Sequence, residues 1–334
     1  MIRQRLFCFV LSTCAVLATQ SVHANSAAES CLQRDKSGDF MGWADYPHCL
    51  VDSRTQSTVR WLDDWFGDPA EDEIAKAYLR AITDFRVTDQ GDLTTAIRLR
   101  AKLALPKLNR RIALVFEDER PESESVRQLS NENDSALSLR YLLKSLERFR
   151  VDADLGVRSG PDVFARLRYR QSWALSSEDQ IRVSQTLRYG VKEKVRAINE
   201  VDYSHAFSEQ GVGMIYHNVD YREEEFEQGV LWGRGVLYAH SLKQHGAWSV
   251  GVGQEGVSKP KWQDQSRFVW TRYRQRFMRD WLFYELEPRL TQQREQNWKN
   301  EASITLRLEV QFGYDYAQAP VPQTAQLPVH FDKY

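Results

Sequence analysis

The residues best able to do chemistry stand at every second place. In WTRYRQRF, Arg272, Arg274 and Arg276 alternate with Thr271, Tyr273 and Gln275; in VFARLRYR, Arg166, Arg168 and Arg170 alternate with Ala165, Leu167 and Tyr169. Arg98 and Arg100 flank Leu99, Glu285 and Glu287 flank Leu286, and Arg307 and Glu309 flank Leu308. Side chains spaced by two share one face of a strand, so each set is a ladder of ions. Arg140, Arg150, Arg158, Asp152, Asp154, Glu200 and Asp202 fall on the same face by the same rule. Such ladders suit two tasks: cross-strand pairing, or an eyelet that attracts anions and sugar acids. Because both signs interleave, pairing is the stronger reading, and Arg272 is expected roughly opposite Glu285 across the tight MRD turn.

Other chemistries lack their geometry. A lipid hydrolase needs a Ser nucleophile and a His base on one face. In His240-Ser241 and Ser204-His205 the two residues are chain neighbours, which a strand turns to opposite faces. The acidic runs Glu223-Glu224-Glu225 and Glu117-Asp118-Glu119 lack the spacing of a calcium loop and read as solvated loop charge. GVGQEG and WGRG precede no helix that could form a phosphate cradle. The chain is expected to be no enzyme and to hold no metal or cofactor. A formal net charge of −1 gives no reason to expect nucleic acid.

The elements that carry these ladders have period two. In QGDLTTAIRLRAKLAL the apolar set Leu93, Ile97, Leu99, Ala101, Leu103 and Leu105 faces away from Thr94, Arg98, Arg100 and Lys102. SITLRLEVQFG repeats the pattern: Ile304, Leu306, Leu308, Val310 and Phe312 on one face, Thr305, Arg307, Glu309 and Gln311 on the other. A soluble sandwich also alternates. Strands of about 10 residues, dense ions on the polar face and aromatics gathered at strand ends favour a transmembrane antiparallel up-and-down β-barrel. Those aromatics include Trp173, Tyr189, Tyr203, Tyr221, Trp248, Phe277, Trp281 and Phe312.

The spacing predicts strands over 75–88, 92–105, 110–117, 135–144, 149–158, 162–173, 180–190, 193–204, 211–221, 228–240, 246–254, 265–277, 281–290 and 302–312. That is fourteen; twelve results if the first and third are dropped. With both termini in the periplasm, long connections such as EDERPESESVRQLSNEND fall outside and short ones such as MRD inside. Gln185, Asn199, Asn218 and Gln275 on the lipid face, and Phe164, Ile198, Phe268 and Trp270 on the lumen face, break the rule. A bulge or one-residue slip is expected to repair several.

Flanking segments complete the organisation. Arg3 and Arg5, the apolar LFCFVLSTCAVLA and Val22-His23-Ala24 read as a secretory leader, residues 1–24. Thr13 makes LSTC a poor lipid-attachment site. Cys31 and Cys49, the pair left after the leader, predict a disulfide in an exported protein. Residues 25–74 also hold a helical stretch, TQSTVRWLDDWF, and Asp68-Pro69 reads as a helix start before AEDEIAKAYL. This segment is a periplasmic cap or a plug. The barrel occupies 75–312, and 313–334 read as a flexible periplasmic tail with scattered prolines.

RYRQRFMRDWLFYELEPRLT and NWKNEASITLRLEVQFG resemble the closing strands of a family of proteobacterial outer-membrane β-barrel proteins. WLDDWFGD and RLRAKLALPKLNRRIALVF extend that resemblance over most of the chain. It implies a fold and an outer-membrane location, without an activity or site residues. Ile304 to Phe312 is similar to the terminal signature read by the barrel-insertion machinery, although here a tail follows the aromatic. The expected partners are that machinery, outer-membrane lipid and lipopolysaccharide. The leading expectation of function is porin-like passage of small hydrophilic solutes. A closed structural or interaction barrel comes second and an outer-membrane lipid hydrolase last. Oligomeric state is left open.

Overall fold

The computed structural model describes residues 31, 45–64, 76–105, 111–118, 135–146, 148–159, 162–242 and 246–313. A helix, α1 (Asp45–Asp64), precedes fourteen strands. They are β1 (Lys76–Thr88), β2 (Leu93–Ala104), β3 (Ile112–Asp118), β4 (Ser135–Ser145), β5 (Phe149–Arg158), β6 (Asp162–Ala174) and β7 (Asp179–Gly190). They continue as β8 (Lys194–Ala206), β9 (Gly211–Arg222), β10 (Val230–Leu242), β11 (Gly246–Val257), β12 (Gln263–Phe277), β13 (Arg279–Gln293) and β14 (Asn300–Phe312). Each strand pairs antiparallel with the next, and β14 returns to β1, closing the barrel. Closure leaves no sheet edge with unmet backbone groups, which is the condition for strands to cross hydrocarbon.

The two faces are inverted relative to a soluble protein. Ile97 is 79% exposed, whereas its neighbour Arg98 is 4% exposed. Leu155, Val157, Val163, Leu167, Leu187, Val201, Val236, Val252 and Ile304 are likewise exposed, while Arg140, Asp152, Asp154, Arg166, Arg188, Arg272, Glu285 and Glu309 are buried. The apolar face is outside and the ionic face inside, as an apolar band in contact with lipid requires.

Two places show how sequence shapes the wall. Registered pairs between β12 and β13 run from Ser266↔Gln293 to Trp270↔Arg289 and resume at Tyr273↔Leu286. The gap falls at Pro288, which has no N–H to give the ladder. At the MRD turn Phe277 pairs with Arg279 around Met278, whose φ of 59° is left-handed.

α1 lies at the barrel end that holds this turn, across the seam where β14 meets β1. Gln56 brackets Ala77: its Nε2 donates to the Ala77 carbonyl at 2.7 Å, and the Ala77 amide donates to its Oε1 at 3.1 Å. Asp45 accepts two bonds from Arg279, at 2.6 and 2.7 Å. Val59 packs on Ala77 and Leu105, with Leu62 and Leu103 beside them. Cys31 and Cys49 form the expected disulfide, with Cα atoms 5.7 Å apart.

The His48 ring stacks on Trp281 at 4.2 Å and on Phe312 at 4.6 Å, and its Nε2 donates to the Gln311 carbonyl at 2.7 Å. Burial holds this imidazole below its ordinary value of 6.5, against the opposing pulls of the Gln311 bond and of Asp52 and Asp45. A depressed folded-state value means that the released ring binds the proton more readily. Docking of α1 should therefore be complete above pH 6.5 and weaken as pH falls below it. Protease susceptibility of α1, followed from about pH 8 to pH 5, should rise on acidification and lose that dependence in His48→Phe. Release on the alkaline side would contradict this.

Several expectations need correction. The helix spans Asp45–Asp64, ten residues longer at its start than TQSTVRWLDDWF, and the added turns carry Asp45 and His48 to Arg279 and Gln311. Lys76–Leu79 of AEDEIAKAYL lie in β1, paired with β2, and the helix start at Asp68-Pro69 falls outside the described residues. The strand count is fourteen, and twelve is excluded. Asn218 faces inward at 0% exposure, so that assignment was a one-residue slip. Gln185 and Asn199 do face outward, opposite each other, and Phe164, Ile198, Phe268 and Trp270 do face inward. These departures are real features of the wall. The leader, the tail beyond Gly313 and residues 65–75 lie outside the described residues.

Candidate functional site: the ion-lined interior

The interior is built from the inward positions of all fourteen strands. On β13, β14, β1 and β2, Asp84 accepts from Arg98 and from Arg307 Nε at 2.7 Å, and Arg307 Nη1 donates to Glu285 at 2.6 Å. Glu309 takes Arg274 Nη1 at 2.7 Å and Arg80 Nε at 2.9 Å. Arg272 Nη2 reaches Glu287 at 2.6 Å and its Nε lies 3.3 Å from Glu285. The register sets Arg274, not Arg272, opposite Glu285. The expected Arg272–Glu285 contact is thus the lesser one, because the irregularity between Arg276 and Phe277 at the MRD turn shifts the two strands by more than the turn alone suggests.

A second network runs over β4 to β6. Asp154 is shared by Arg140, at 2.9 Å, and Arg166. Asp152 is shared by Arg150, at 2.9 Å, and Arg170, at 2.8 Å. A third runs over β7 to β9, where Arg182 meets Asp202 at 2.5 Å and Asp220 holds Arg196 at 2.8 Å and Arg222 at 3.0 Å. Arg276 pairs with Asp280 at 2.7 Å near the MRD turn. Arg100 stands in register opposite Arg80. Arg168 stands in register between Asp152 and Thr186, and no ion pair engages it among the described residues.

The inward aromatics are platforms for these cations. Arg272 lies over Trp270 at 4.6 Å, Arg289 over Phe268 at 4.8 Å and Arg274 over Phe283 at 4.8 Å. Arg166 and Arg188 share Phe164. A guanidinium on an aromatic face gains cation–π attraction and is held against the wall. Over β9 to β12 the lining turns apolar: Val212, Tyr216, Leu237, Ala239, Phe268 and Trp270 form one buried cluster. Glycine makes the space for it. A Cβ at Gly251 would meet the Trp270 ring at 2.7 Å, and one at Gly235 would meet Tyr216 Oη at 2.4 Å.

The sequence-derived ladder is thus brought to one surface, and the sequence reading missed part of it. Asp84, Arg80, Asp220, Arg196, Arg188 and Glu193 complete the pairs. Asp84 was findable, since Ile82, Asp84 and Arg86 alternate with Thr83, Phe85 and Val87. Glu193 was not, because it reaches the interior from a turn. Ser241 sits in register opposite Ala247 on the inner face, while His240 faces out beside Tyr238, 3.4 Å from its hydroxyl. Asp179 at the start of β7 gathers Ser176, Tyr203 and His205, so its bonds fix a turn and present no nucleophile to a base.

Fold and lining define a closed antiparallel barrel of the membrane-spanning type with an ionic interior. No family model matches the chain, and no curated protein does. Among solved structures it is similar to a Vibrio cholerae outer membrane protein, OmpT with loop L8 deleted: 10% identity, 71% of this chain, 99% of that one, TM-score 0.47. It is similar to OccK11 (OpdR) of Pseudomonas aeruginosa at 8% identity, 71% and 96% coverage, TM-score 0.42. It is also similar to the KdgM porin at 5% identity, 70% and 99% coverage, TM-score 0.38.

Proposed function

We propose that this chain resides in the outer membrane, with both termini in the periplasm, and lets small hydrophilic solutes pass through its lumen. The observation that carries the reading is the direction of the ion pairs. Arg98–Asp84, Arg307–Glu285, Arg140–Asp154, Arg182–Asp202 and Arg196–Asp220 each join neighbouring strands, and Arg274–Glu309 joins strands one further apart. None of these pairs spans the bore. Barrel diameter grows with strand number, and eight strands are already wide enough to be filled by side chains alone. Fourteen strands with wall-hugging arginines leave room along the axis.

The second reading, a closed structural or interaction barrel, needs a lumen filled by paired ions or by the N-terminal segment. The contacts of α1 favour the rim, since they fall on the seam of β14 and β1 and on Arg279. Arg168, engaged by no carboxylate among the described residues, is the cation best placed to favour anionic solutes. Proteoliposomes should swell in small sugars and faster in sugar acids, and Arg168→Glu should reverse that preference. Failure of the folded protein to permit swelling in any small solute would support the closed barrel. The last strand, Ile304 to Phe312, supplies the alternating apolar pattern and terminal aromatic through which insertion machinery would engage the chain.

A further inference from the structure

The outer wall is apolar along most of its height, but one row across it is polar and unbroken. Arg234 on β10 is in register with Gln254 on β11, Gln254 with Arg267 on β12, and Arg267 with Gln292 on β13. The row lies toward one rim: β10 begins at Val230 and β12 at Gln263, while β11 ends at Val257 and β13 at Gln293. That rim is opposite the MRD turn, so it belongs to the outer leaflet in the orientation proposed above. The next outward row toward the membrane interior is wholly apolar: Val236, Val252, Val269 and Leu290, again in register. Both rows line one groove of about 530 Å³ on the outside of the barrel.

The two arginines are anchored and still accessible. Arg267 gives Nε and Nη2 to Asp264 Oδ2, at 3.1 and 2.7 Å, and lies over the Trp298 ring at 4.8 Å. Those bonds use two of the five N–H groups of a guanidinium, and the side chain is 55% exposed. Arg234 lies over Trp232 at 5.3 Å and is also exposed. Trp232 is in turn 5.8 Å from Trp262, and tryptophan gathers at headgroup level in membrane proteins. Charge on a lipid-facing wall is costly at mid-depth and nearly free at the interface, so this row forms the margin of the apolar band. We propose that the groove holds one phosphate-bearing lipid of the outer leaflet. Its phosphate sits on Arg234 and Arg267, and its acyl chains run along Val236, Val252, Val269 and Leu290. The arginines stand two strands apart, about 10 Å at the backbone, within reach of one headgroup. Guanidinium forks match phosphate oxygens, and the amide of Gln254 between them adds a donor. A water-soluble phosphate would leave the valine row bare, and a wholly apolar ligand would leave the arginine row bare. A lipid covers both. The proposal rests on the membrane placement of the barrel and is independent of what passes through it.

The test is native mass spectrometry of the full chain in mild detergent, with the heat-dependent shift in gel mobility confirming that each variant is folded. The probes are diphosphoryl lipid A, the same lipid with its phosphates removed, and inorganic phosphate. The unsubstituted barrel should retain one diphosphoryl lipid A and keep it in excess inorganic phosphate. It should hold the dephosphorylated lipid about tenfold more weakly. Arg234→Gln with Arg267→Gln should weaken retention of the diphosphoryl lipid to a similar degree. Val252→Trp fills the apolar half of the groove, leaves both arginines in place and should weaken retention as well; it decides the matter if the arginine variant does not fold. Equal retention of the two lipids, retention unchanged in the folded variants, or displacement of the lipid by inorganic phosphate would each overturn the proposal. Absence of the heat-dependent shift in the unsubstituted chain would instead overturn the membrane placement on which it rests.

Discussion

Glu309→Gln should sharply lower the stability of the barrel, although it changes one oxygen to an amide nitrogen. Glu309 is 2% exposed, accepts from Arg274 Nη1 at 2.7 Å and Gln311 Nε2 at 2.5 Å, and forms an ion pair with Arg80, whose Nε lies 2.9 Å away. Removing its charge leaves Arg80 without this counter-ion and Arg274 with only the more distant Glu285, 3.8 Å away and already held by Arg307. Breaking a buried ion pair from one side costs about 3–5 kcal/mol, because the surviving charge is left uncompensated. The loss falls where β14 meets β1, so it acts on barrel closure itself. The temperature at which the compact gel form converts to the slow form should drop well below that of the unsubstituted chain. Glu309→Asp should recover part of the difference. An unchanged transition would mean that water or other side chains already screen these arginines, and that the network contributes little.

A one-residue step along β14 should decide whether an added arginine is tolerated. Leu306 faces outward in register with Phe85 and Leu286, whereas Thr305 faces inward in register with Arg86 and Glu287. Leu306→Arg places a guanidinium in the apolar band, at a cost of about 2–4 kcal/mol near mid-depth. Thr305→Arg places the same group on the inner face, in register with Glu287 and Arg86, where it stays out of hydrocarbon. The fraction that folds into lipid vesicles should fall for the first variant and stay near the unsubstituted value for the second. Equal folding of both would contradict the inside–outside assignment.

Much of this wall was legible in the sequence because a strand converts position into facing with period two. SITLRLEVQFG, WTRYRQRF and VFARLRYR each gave the correct face for every residue. The strand boundaries also lay close to those observed, since turns interrupt the alternation. What the sequence hid depends on registers between strands. Arg272 was expected opposite Glu285, but the register shift at the MRD turn, between Arg276 and Phe277, set it by Glu287. Phe164, Phe268 and Trp270 looked like register faults. They proved to be supports for Arg166, Arg289 and Arg272, a role that needs three-dimensional neighbours to be seen. The grip of α1 was hidden for the same reason: Gln56 and His48 bond to Ala77 and Gln311, far away in the chain.

On the proposed function, wall-hugging ion pairs leave a water-filled path through fourteen strands. Single-channel recording in planar lipid bilayers tests it most directly. Purified protein that shows the heat-dependent mobility shift should produce discrete, reproducible conductance steps, and Arg168→Glu should move the reversal potential in a salt gradient toward cations. A folded, membrane-inserted barrel that gives no steps under the same conditions would contradict it.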